Sequence, residues 1–483
     1  MMSNTANTSA SKRIEALLDD NSFVEIGALV SARSTDFNLT KEETPADGVV
    51  TGYGVINGNL VYVYSQDASV MGGSIGEMHA KKIVRLYDLA MKMGAPVVGL
   101  IDCAGLRLQE ATDALNAFGE VYMKQALASG VIPQITAVFG NCGGGFGVMS
   151  GLSDYTLVEE NNGKLFINSP NTIEGNSADK CDTSSAKFQY EAGNADYIAD
   201  EAGVINRIRD IVTILPANNE DIAEADCEDD INRVCADLAN CVGDTAIALS
   251  QIADAGIFVQ TKEGFAKNMV TGFLKLNGLT VGAVANRTQV YNDEMELVEE
   301  FEAKLTPSAC EKAADFVKFC DAFEIPVLTL TNVNGFKACK CGEKKLMKAA
   351  AKLTYAFADA TVPKVNVVIK EAMGTPYTIM NSKALGADMV FAWEDAKIGM
   401  MDATAAAKII YADEIAKADN AVAMINEKAN EYEALQSSVE SAARRGYVDT
   451  IIAPADTRKY VIGAFEMLYT KREDRPAKKH GAV

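Results

Sequence analysis

The chain has 483 residues, of which 48% are hydrophobic and 23% charged, a composition typical of a globular protein with more than one domain. Lys and Arg number 45 against 66 Asp and Glu, so the net charge of −21 argues against nucleic acid or an anionic membrane surface as a partner. No stretch approaches the ~20 apolar residues that span a bilayer, and the start MMSNTANTSASKR lacks the apolar region of a secretory signal. With ten scattered cysteines, we expect a reduced, cytoplasmic protein.

The first half of the chain predicts strands that alternate with helices. Its first eight residues are expected to be disordered and precede a short amphipathic helix, RIEALL. Residues 49–68 carry an Asn-Gly pair between apolar residues, which predicts a β-hairpin because both turn positions require a positive φ. Continuous apolar runs follow in residues 95–106 and 131–140, with helical segments between them. Such runs suggest parallel strands buried on both faces.

The second half repeats the first. Residues 269–288, 325–336 and 361–370 match the hairpin and the two apolar runs in the same order, at offsets of 220–230 residues. Three ordered blocks at nearly constant offsets indicate an internal duplication. Alternating strands and helices of this length predict an α/β fold with a mainly parallel sheet in each half.

The two halves are joined by a segment of different character. Residues 176–250 show little strand patterning and carry seven acids between Glu220 and Asp230. We expect a helical, solvated connection, with a partner-docking segment as the alternative. The predicted domains are therefore residues 1–245 and 246–483.

Ionisable catalytic groups are scarce. The chain has two histidines: His480 lies in the tail, and His79 lies on the polar face of a predicted helix, where a solvated or capping role is expected. No GxxxxGK[ST] phosphate loop occurs. Cys339 and Cys341 are one residue closer than a CxxC zinc pair, and no second CxxC lies nearby, so no metal site is expected.

The remaining candidate chemistry belongs to the backbone. The sequence GNCGGGFGVM follows a predicted strand and opens a helix, and it contains Gly143, Gly144 and Gly145. Glycines allow a ligand to approach closely, and the first turn of a helix leaves unpaired N–H groups. Two such amides around a thioester oxygen make an oxyanion hole, which stabilises an enolate without a charged side chain. Gly144 and Gly145 are the predicted catalytic residues of the first half.

The second half has a matching turn, EAMGTPYTIM, in which Gly374 and Thr375 are the predicted catalytic residues. Pro376 has no N–H to donate. It would fit the first helical position with Thr375 as the N-cap. An oxyanion hole that uses Gly374 or Thr375 survives this proline, whereas one that uses residue 376 loses a donor.

Beyond these turns, the sequence resembles the carboxyltransferase subunits of biotin-dependent acyl-CoA carboxylases, decarboxylases and transcarboxylases. The resemblance runs from about Arg13 to His480 and rests on several segments: LLDDNSFVEIG, PADGVVTGYG, QDASVMGGSIGEMHAKKI, FVKFCDAFEIP, YAFADATVPKV, ADMVFAW and RGYVDTIIAPADTRK. It implies two tandem crotonase-like domains, each a ββα superhelix. It also implies hexamers, as trimers of dimers, with active sites between the first half of one subunit and the second half of another.

By the same resemblance, the first half binds an acyl-CoA and the second half receives carboxybiotin from a separate biotin carboxyl carrier protein. The other partner would be a biotin carboxylase or a membrane decarboxylase subunit. Biotin N1 takes the α-proton of the thioester, so no side-chain base is required. The candidate substrate-binding residues are Gly105, Leu106, Arg107, Gly143, Gly335 and Phe336. The position of Arg107 at the start of a predicted helix fits two interpretations, a partner for a CoA phosphate or a side chain that is only solvated.

A biotin-attachment tetrapeptide is also present in this chain. Ala90-Met91-Lys92-Met93 spells the motif, but it ends a predicted helix, whereas biotin lysines lie on a tight β-turn. We therefore expect the biotin on a separate chain.

The chain departs from the family pattern mainly in its second half. In the first half, Cys103-Ala104-Gly105-Leu106-Arg107 replaces the family's Ser-Gly-Gly-Ala-Arg. In the second half, Gly374-Thr375-Pro376 replaces Gly-Gly-Ala, residues 333–339 (VNGFKAC) replace Val-Pro-Gly-Phe-Leu-Pro-Gly, and residues 346–352 (LMKAAAK) replace Ile-Ile-Arg-His-Gly-Ala-Lys. Two alternatives to a working carboxyltransferase stay open at this point. One is a crotonase-like CoA-thioester enzyme that no longer uses biotin, and the other is a non-catalytic CoA-binding paralogue. The substrate and the direction of the reaction are left open by the sequence.

Overall fold

The computed structural model describes residues 8–33, 37, 43–292, 294–476 and 480–481. The predicted disordered start lies outside these residues except for Thr8, whose side chain accepts a hydrogen bond from the Ser11 amide and caps the first helix. The chain divides into two units, Met1–Ala223 and Glu224–Val483.

The first unit contains alternating helices and strands. Its helices are α1 Ser9–Leu17, α2 Glu77–Met93, α3 Ala111–Ala128, α4 Gly145–Gly151, α5 Asn176–Asp179, α6 Ala186–Glu191 and α7 Glu201–Ile214. Its strands are β1 Val24–Glu25, β2 Val49–Ile56, β3 Asn59–Gln66, β4 Val97–Cys103, β5 Gln134–Gly143, β6 Tyr155–Glu159, β7 Lys164–Phe166 and β8 Tyr197–Ala199.

These strands form one sheet in the order β1-β2-β3-β4-β5-β6-β8, with β7 paired to the end of β5. The hairpin of β2 and β3 is antiparallel, and the strands from β3 onward are parallel. The hairpin turns at Asn57 and Gly58, which have φ values of 49° and 81°, as the Asn-Gly signal predicts. The apolar faces of α2 and α3 pack on the sheet around residues such as Ile83, Phe118 and Val138.

The second unit follows the same plan. Its helices are α8 Thr245–Ile252, α9 Pro307–Ala322, α10 Lys340–Asp359, α11 Gly374–Ile379, α12 Ala403–Ile410, α13 Ala412–Ile415, α14 Ala421–Tyr432, α15 Val439–Arg444 and α16 Thr457–Leu468. Its strands are β9 Phe258–Thr261, β10 Met269–Leu276, β11 Leu279–Asn286, β12 Gln289–Tyr291, β13 Leu297–Glu300, β14 Val327–Asn334, β15 Lys364–Met373, β16 Met389–Trp393, β17 Lys397–Gly399 and β18 Thr450–Ile452.

The main sheet of the second unit repeats the topology of the first. Its order is β9-β10-β11-β14-β15-β16-β18, with β17 paired to the end of β15, and β12 and β13 form a separate ribbon. The registers correspond as well. Val97 pairs with Gln134 in the first unit. In the second unit Val327 pairs with Lys364, and each of these two residues lies 230 positions after its counterpart in the first pair. The predicted duplication is confirmed by both strand order and register.

The division between the units falls before the predicted boundary at residue 245. Residues that follow Ala223 pack within the second unit. The Ala225 amide donates to the Gly278 carbonyl at 3.0 Å, the Cys235 amide donates to the Ala455 carbonyl at 2.9 Å, and the buried Arg458 pairs with Asp229 at 3.4 Å.

The connecting segment also differs from the helical form that was expected. Residues 215–237 contain no α-helix, although helices α5 to α7 precede them. Acidic side chains four residues apart, such as those at 220 and 224 or 224 and 228, would repel one another on a helix, which disfavours that conformation for residues 220–230. Here the carboxylate of Asp229 instead binds the guanidinium group of Arg233 at 2.9 Å.

Candidate active site

Two neighbouring strands of the first unit bring the predicted site residues together. Cys103 at the end of β4 pairs in register with Cys142 near the end of β5. Leu106 and Gly145 each lie three residues beyond this pair, in the turns at the carboxyl edge of the sheet. Within the part of the chain that the structure describes, no acceptor lies in hydrogen-bonding range of either amide. The two turns therefore supply two unpaired N–H groups from adjacent strand ends.

The three consecutive glycines where β5 ends and α4 begins have different roles. Gly143 packs under the Phe166 ring, because an added Cβ would lie 2.5 Å from a ring carbon. Gly144 has φ +60° and caps α4, and its amide already donates to the Phe166 carbonyl at 2.9 Å. The Gly144 amide is thus engaged, contrary to its predicted catalytic role. Its conformation instead turns the chain so that Gly145 begins the helix.

The turn after β4 is held from the opposite side by Ile75. The Ile75 amide donates to the Gly105 carbonyl at 3.0 Å, and the Arg107 amide donates to the Ile75 carbonyl at 2.8 Å. Gly105 has φ +121°, and an added Cβ would meet no atom within 4 Å. A glycine is therefore required here by the backbone conformation, and the surface beside it is open to a ligand.

The second unit repeats this arrangement. Val333 pairs with Ala372, and Phe336 and Thr375 lie three residues beyond that pair. Leu305 is the equivalent of Ile75. Its amide donates to the Gly335 carbonyl at 3.1 Å, and its carbonyl accepts from the Lys337 amide at 2.9 Å. Among the described residues, the amides of Phe336 and Thr375 have no acceptor.

The glycines of the second unit match those of the first in conformation. Gly335 has φ +95° and Gly374 has φ +67°. Gly374 is the first residue of α11 and Met373 is the N-cap, so Thr375 is not the N-cap that the sequence suggested. Pro376 is buried at the third helical position rather than the first. The start of this helix thus offers the Thr375 amide but no donor at residue 376.

Arg107 lies behind the first turn rather than in it. Its side chain is fully buried: Nη1 pairs with Asp47 and with Glu110 Oε1 at 2.7 Å, and Nη2 donates to the Ser74 carbonyl at 2.9 Å. The prediction that Arg107 contacts a CoA phosphate is wrong for this conformation, because two carboxylates already bind its guanidinium group out of solvent. Its side chain ties the residue that follows Gly105 and Leu106 to Asp47, Glu110 and Ser74.

His79 also differs from its predicted solvated position. It is fully buried, with Nδ1 2.9 Å from the Asp47 carbonyl oxygen and Nε2 3.2 Å from Gln66 Nε2. Burial, together with the nearby cations of Arg107 and Lys82, holds the pKa of His79 well below its usual value. The enclosed imidazole connects Asp47 with Gln66 behind the turn.

Sequence reasoning missed a buried lysine that recurs in both units. Lys82 Nζ donates to the carbonyls of Ala46, at 2.9 Å, and Val49, and burial lowers the pKa of Lys82 to about 8. In the second unit Lys312 Nζ donates to three carbonyls, including that of Met269 at 2.7 Å. The signal was present, since both lysines occupy the same position in the repeat, 230 residues apart.

A cavity of about 610 Å³ lies beside the first turn. It is bounded by Asn141 of β5, by Lys164 and Phe166 of β7, and by polar residues of the segment after β7: Ser169, Asn171, Asn176, Ser177, Lys180, Asp182 and Ser184. Such a lining offers hydrogen bonds and two ammonium groups to a polar ligand.

The paired amides at each strand edge determine what the two sites can do chemically. Two converging N–H groups stabilise negative charge on an oxygen, most strongly where water is excluded. Among the described residues, no group of three or more His, Cys, Asp or Glu side chains is arranged to hold a metal ion. The arrangement suits the stabilisation of an enolate or a similar oxyanion in each unit.

Comparisons with known proteins agree with this chemistry. Residues 4–483 match the carboxyl transferase domain family. The chain is 37% identical to the methylmalonyl-CoA decarboxylase subunit alpha of Propionigenium modestum, over 98% of this chain and 92% of that protein. It is 38% identical to the propionyl-CoA carboxylase beta chain of Saccharopolyspora erythraea, over 98% of this chain and 90% of that protein.

The fold has a close counterpart among solved structures. The transcarboxylase 12S crystal structure, a hexamer with hydrolysed methylmalonyl-coenzyme A bound, superimposes with a TM-score of 0.89 at 36% identity. The match covers 98% of this chain and 92% of that one, which confirms the two crotonase-like domains expected from the resemblance. On the combined evidence of sequence, topology and turn geometry, the chain belongs to the carboxyl transferase domain family of biotin-dependent acyl-CoA enzymes.

Proposed function

We propose that this chain moves a carboxyl group between carboxybiotin and the α-carbon of a short acyl-CoA, using backbone amides in place of ionisable catalytic side chains. The observation that carries the proposal is the repeated pair of unpaired amides, Leu106 with Gly145 and Phe336 with Thr375. A reaction that forms an enolate at each of two oxygens needs two such sites in one enzyme.

The first unit is assigned to the thioester. The amides of Leu106 and Gly145 would donate to the thioester oxygen as it gains negative charge after loss of the α-proton. Gly105 leaves the surface open, since a Cβ there would meet no atom within 4 Å. The polar cavity beside Phe166, with Lys164 and Lys180, would accommodate the amide-rich or phosphate part of CoA.

The second unit is assigned to biotin, which is carried by a separate protein and supplies the carboxyl group and a nitrogen base. The amides of Phe336 and Thr375 would donate to the ureido oxygen. Lys92 is unsuited to carry biotin itself, because it lies in the last turn of α2 rather than on a β-turn. Pro376 supplies no donor at the start of α11, so the proposed pair depends on the amides of Thr375 and Phe336.

The acyl group is proposed from the relatives. The names of the two relatives above refer to propionyl-CoA and methylmalonyl-CoA, which differ by one carboxyl group. We therefore take this pair as the first substrates to test. The partners would be a biotin carboxyl carrier protein with a biotin carboxylase or a membrane decarboxylase subunit, and the assembly a hexamer like that of transcarboxylase 12S.

The cytoplasm is the proposed location. All ten cysteines are free, which suits a reducing compartment. Within the described residues, no helix combines the length and apolar character needed to cross a bilayer.

Carboxyl exchange tests this function. Methylmalonyl-CoA labelled in its free carboxyl group is incubated with the purified chain and free biotin, and the label on biotin is measured. We expect transfer that depends on both substrates, together with propionyl-CoA formed in equal amount. Tight binding of the acyl-CoA without any transfer, to free or carrier-bound biotin, would contradict the assignment of the second unit.

A further inference from the structure

Two thiols meet at the start of α10, close to the turn of the second unit. Cys339 is half-buried and Cys341 is exposed, and their sulfur atoms lie 3.5 Å apart. Cys339 is the N-cap of the helix, and its sulfur accepts a hydrogen bond from the Gly342 amide at 3.3 Å. An added Cβ at Gly342 would lie 2.9 Å from that sulfur, so a glycine is needed for the thiol to fold over the helix start.

We propose that Cys339 and Cys341 form a reversible disulfide that rearranges the turn from Gly335 to Cys341 and thereby switches off the second unit. The second part of this inference rests on the proposed function. The disulfide itself follows from the distance between the two thiols and does not depend on the reaction that the enzyme catalyses.

The oxidant assigned to this step is hydrogen peroxide. The accessible thiolate of Cys341 attacks one peroxide oxygen, which breaks the O–O bond, releases hydroxide and leaves a sulfenic acid. The Cys339 thiol then attacks this sulfur, forms the S–S bond and releases water. In total, two thiols lose two hydrogen atoms, and one peroxide becomes two waters. A small dithiol reverses the step by exchange and is itself oxidised to its disulfide.

Formation of the bond must move the backbone. A disulfide needs the sulfur atoms about 2 Å apart with a torsion near 90° about the S–S bond, and here only Lys340 separates the two cysteines. An exposed, strained disulfide of this kind is readily reduced, as regulatory disulfides are.

The adjustment reaches the proposed biotin site through a short chain of residues. Cys339 follows Phe336 by three residues, and the Lys337 amide is tied to the Leu305 carbonyl at 2.9 Å. In this proposal the shift at Cys339 breaks the hydrogen bond from Lys337 to Leu305, which releases the adjacent Phe336 amide from its position. A displacement of about 1 Å in a catalytic group costs on the order of 10²-fold in rate.

The test uses the full chain and a protease that cleaves after lysine. Cleavage at Lys337, Lys340 and Lys344 releases Ala338–Lys340 and Cys341–Lys344 as separate peptides from the reduced protein. After treatment with hydrogen peroxide, we expect these two peptides joined, or the uncut 338–344 peptide two hydrogens lighter, and restoration by dithiothreitol. Hydrogen exchange of residues 334–345 should change in parallel.

Variants and activity complete the test. Cys341→Ser should abolish the joined peptide, whereas Cys181→Ser, at an exposed cysteine elsewhere, should leave it unchanged. Oxidation should lower carboxyl exchange by about 10-fold or more in the unaltered chain and leave Cys341→Ser unaffected. Absence of the joined peptide, unchanged exchange of the 334–345 amides, or full activity of the oxidised protein would each overturn the proposal. If the reduced protein shows no carboxyl exchange, the proposed function fails, and the peptides and amide exchange alone decide the disulfide.

Discussion

Arg107 and Lys337 occupy equivalent positions in the two units, yet only Arg107 is buried. Both follow a glycine turn, and both amides donate to the residue that bridges it, Ile75 in the first unit and Leu305 in the second. The Arg107 side chain is 0% exposed between two carboxylates, whereas the Lys337 side chain is 43% exposed and pairs with Glu302 at 2.7 Å. The first turn is thus held by a buried ionic cluster, and the second turn is held more loosely.

This difference predicts unequal effects of removing the two cations. Arg107→Met should destabilise the first unit by about 3–5 kcal/mol, because Asp47 and Glu110 would remain buried without their partner. Lys337→Met should change stability by at most about 1 kcal/mol, as is usual for an exposed ion pair. Urea denaturation of the full chain, followed by hydrogen exchange in each unit, measures both. Equal losses in the two variants would contradict a special role for the buried cluster.

Thr375 provides a test of the second pair of amides. Thr375→Pro removes the N–H at the second helical position, where proline is tolerated in a first turn. Carboxyl exchange should fall by about 10²–10³-fold, while the affinity for acyl-CoA stays unchanged.

The matched control is Thr375→Ala, which keeps the amide and removes only the hydroxyl group. Its exchange rate should stay within about threefold of the unaltered chain, far less than the loss of an amide donor. If alanine and proline reduce the rate equally, the hydroxyl or the helix itself, and not the amide, serves the reaction.

Asp154 predicts a dependence of stability on pH. Burial raises the pKa of this half-buried carboxyl to about 7, with Asp196 as a further cause, while a hydrogen bond from the Gln134 amide at 2.8 Å opposes the shift. A raised pKa means that the folded protein holds the proton more tightly, so this stabilising contribution is complete below about pH 4 and is lost as the pH rises through 7. Asp154→Asn should therefore stabilise the first unit at pH 8 by about 1–2 kcal/mol and have little effect at pH 4.

The equivalent residue of the second unit serves as the control. Asp388 also accepts from a backbone amide, that of Lys364 at 2.8 Å, but it is paired with Lys471 at 2.8 Å. Asp388→Asn should not stabilise the second unit, because it leaves this ammonium group without one of its carboxylates. Thermal melts at pH 4 and 8 distinguish the two cases, and stabilisation by both variants would exclude the proposed origin of the effect.

Much of the fold was predictable because its signals are local and occur twice. The turns at Asn57 and Asn277 follow directly from Asn-Gly pairs between apolar residues, and both have positive φ values. The apolar runs of β4, β5, β14 and β15 have the length and continuity of strands buried on both faces. The constant offset then predicts the second unit from the first.

The details of the site were less predictable because they depend on contacts between residues distant in sequence. The Gly144 amide, which was expected to be free, donates to the Phe166 carbonyl. The Arg107 guanidinium group, which was expected to be exposed, binds the carboxylate of Asp47, 60 residues earlier in the chain. A helical position cannot reveal that His79 is enclosed, because its neighbours come from other elements. Gly145 and Leu106 remain proposals whose partnership follows from strand register.

The most direct measurement of the central claim, that main-chain amides carry the reaction, compares Gly145→Pro with Gly145→Ala. Both substitutions introduce a Cβ close to Phe118 and Tyr122, so the alanine variant controls for that contact, and proline in addition removes the amide and closes the ring on the backbone nitrogen. We predict that carboxyl exchange by the proline variant is about 10²–10³-fold slower than by the alanine variant, with both chains folded by circular dichroism. Equal rates in the two variants would contradict the claim.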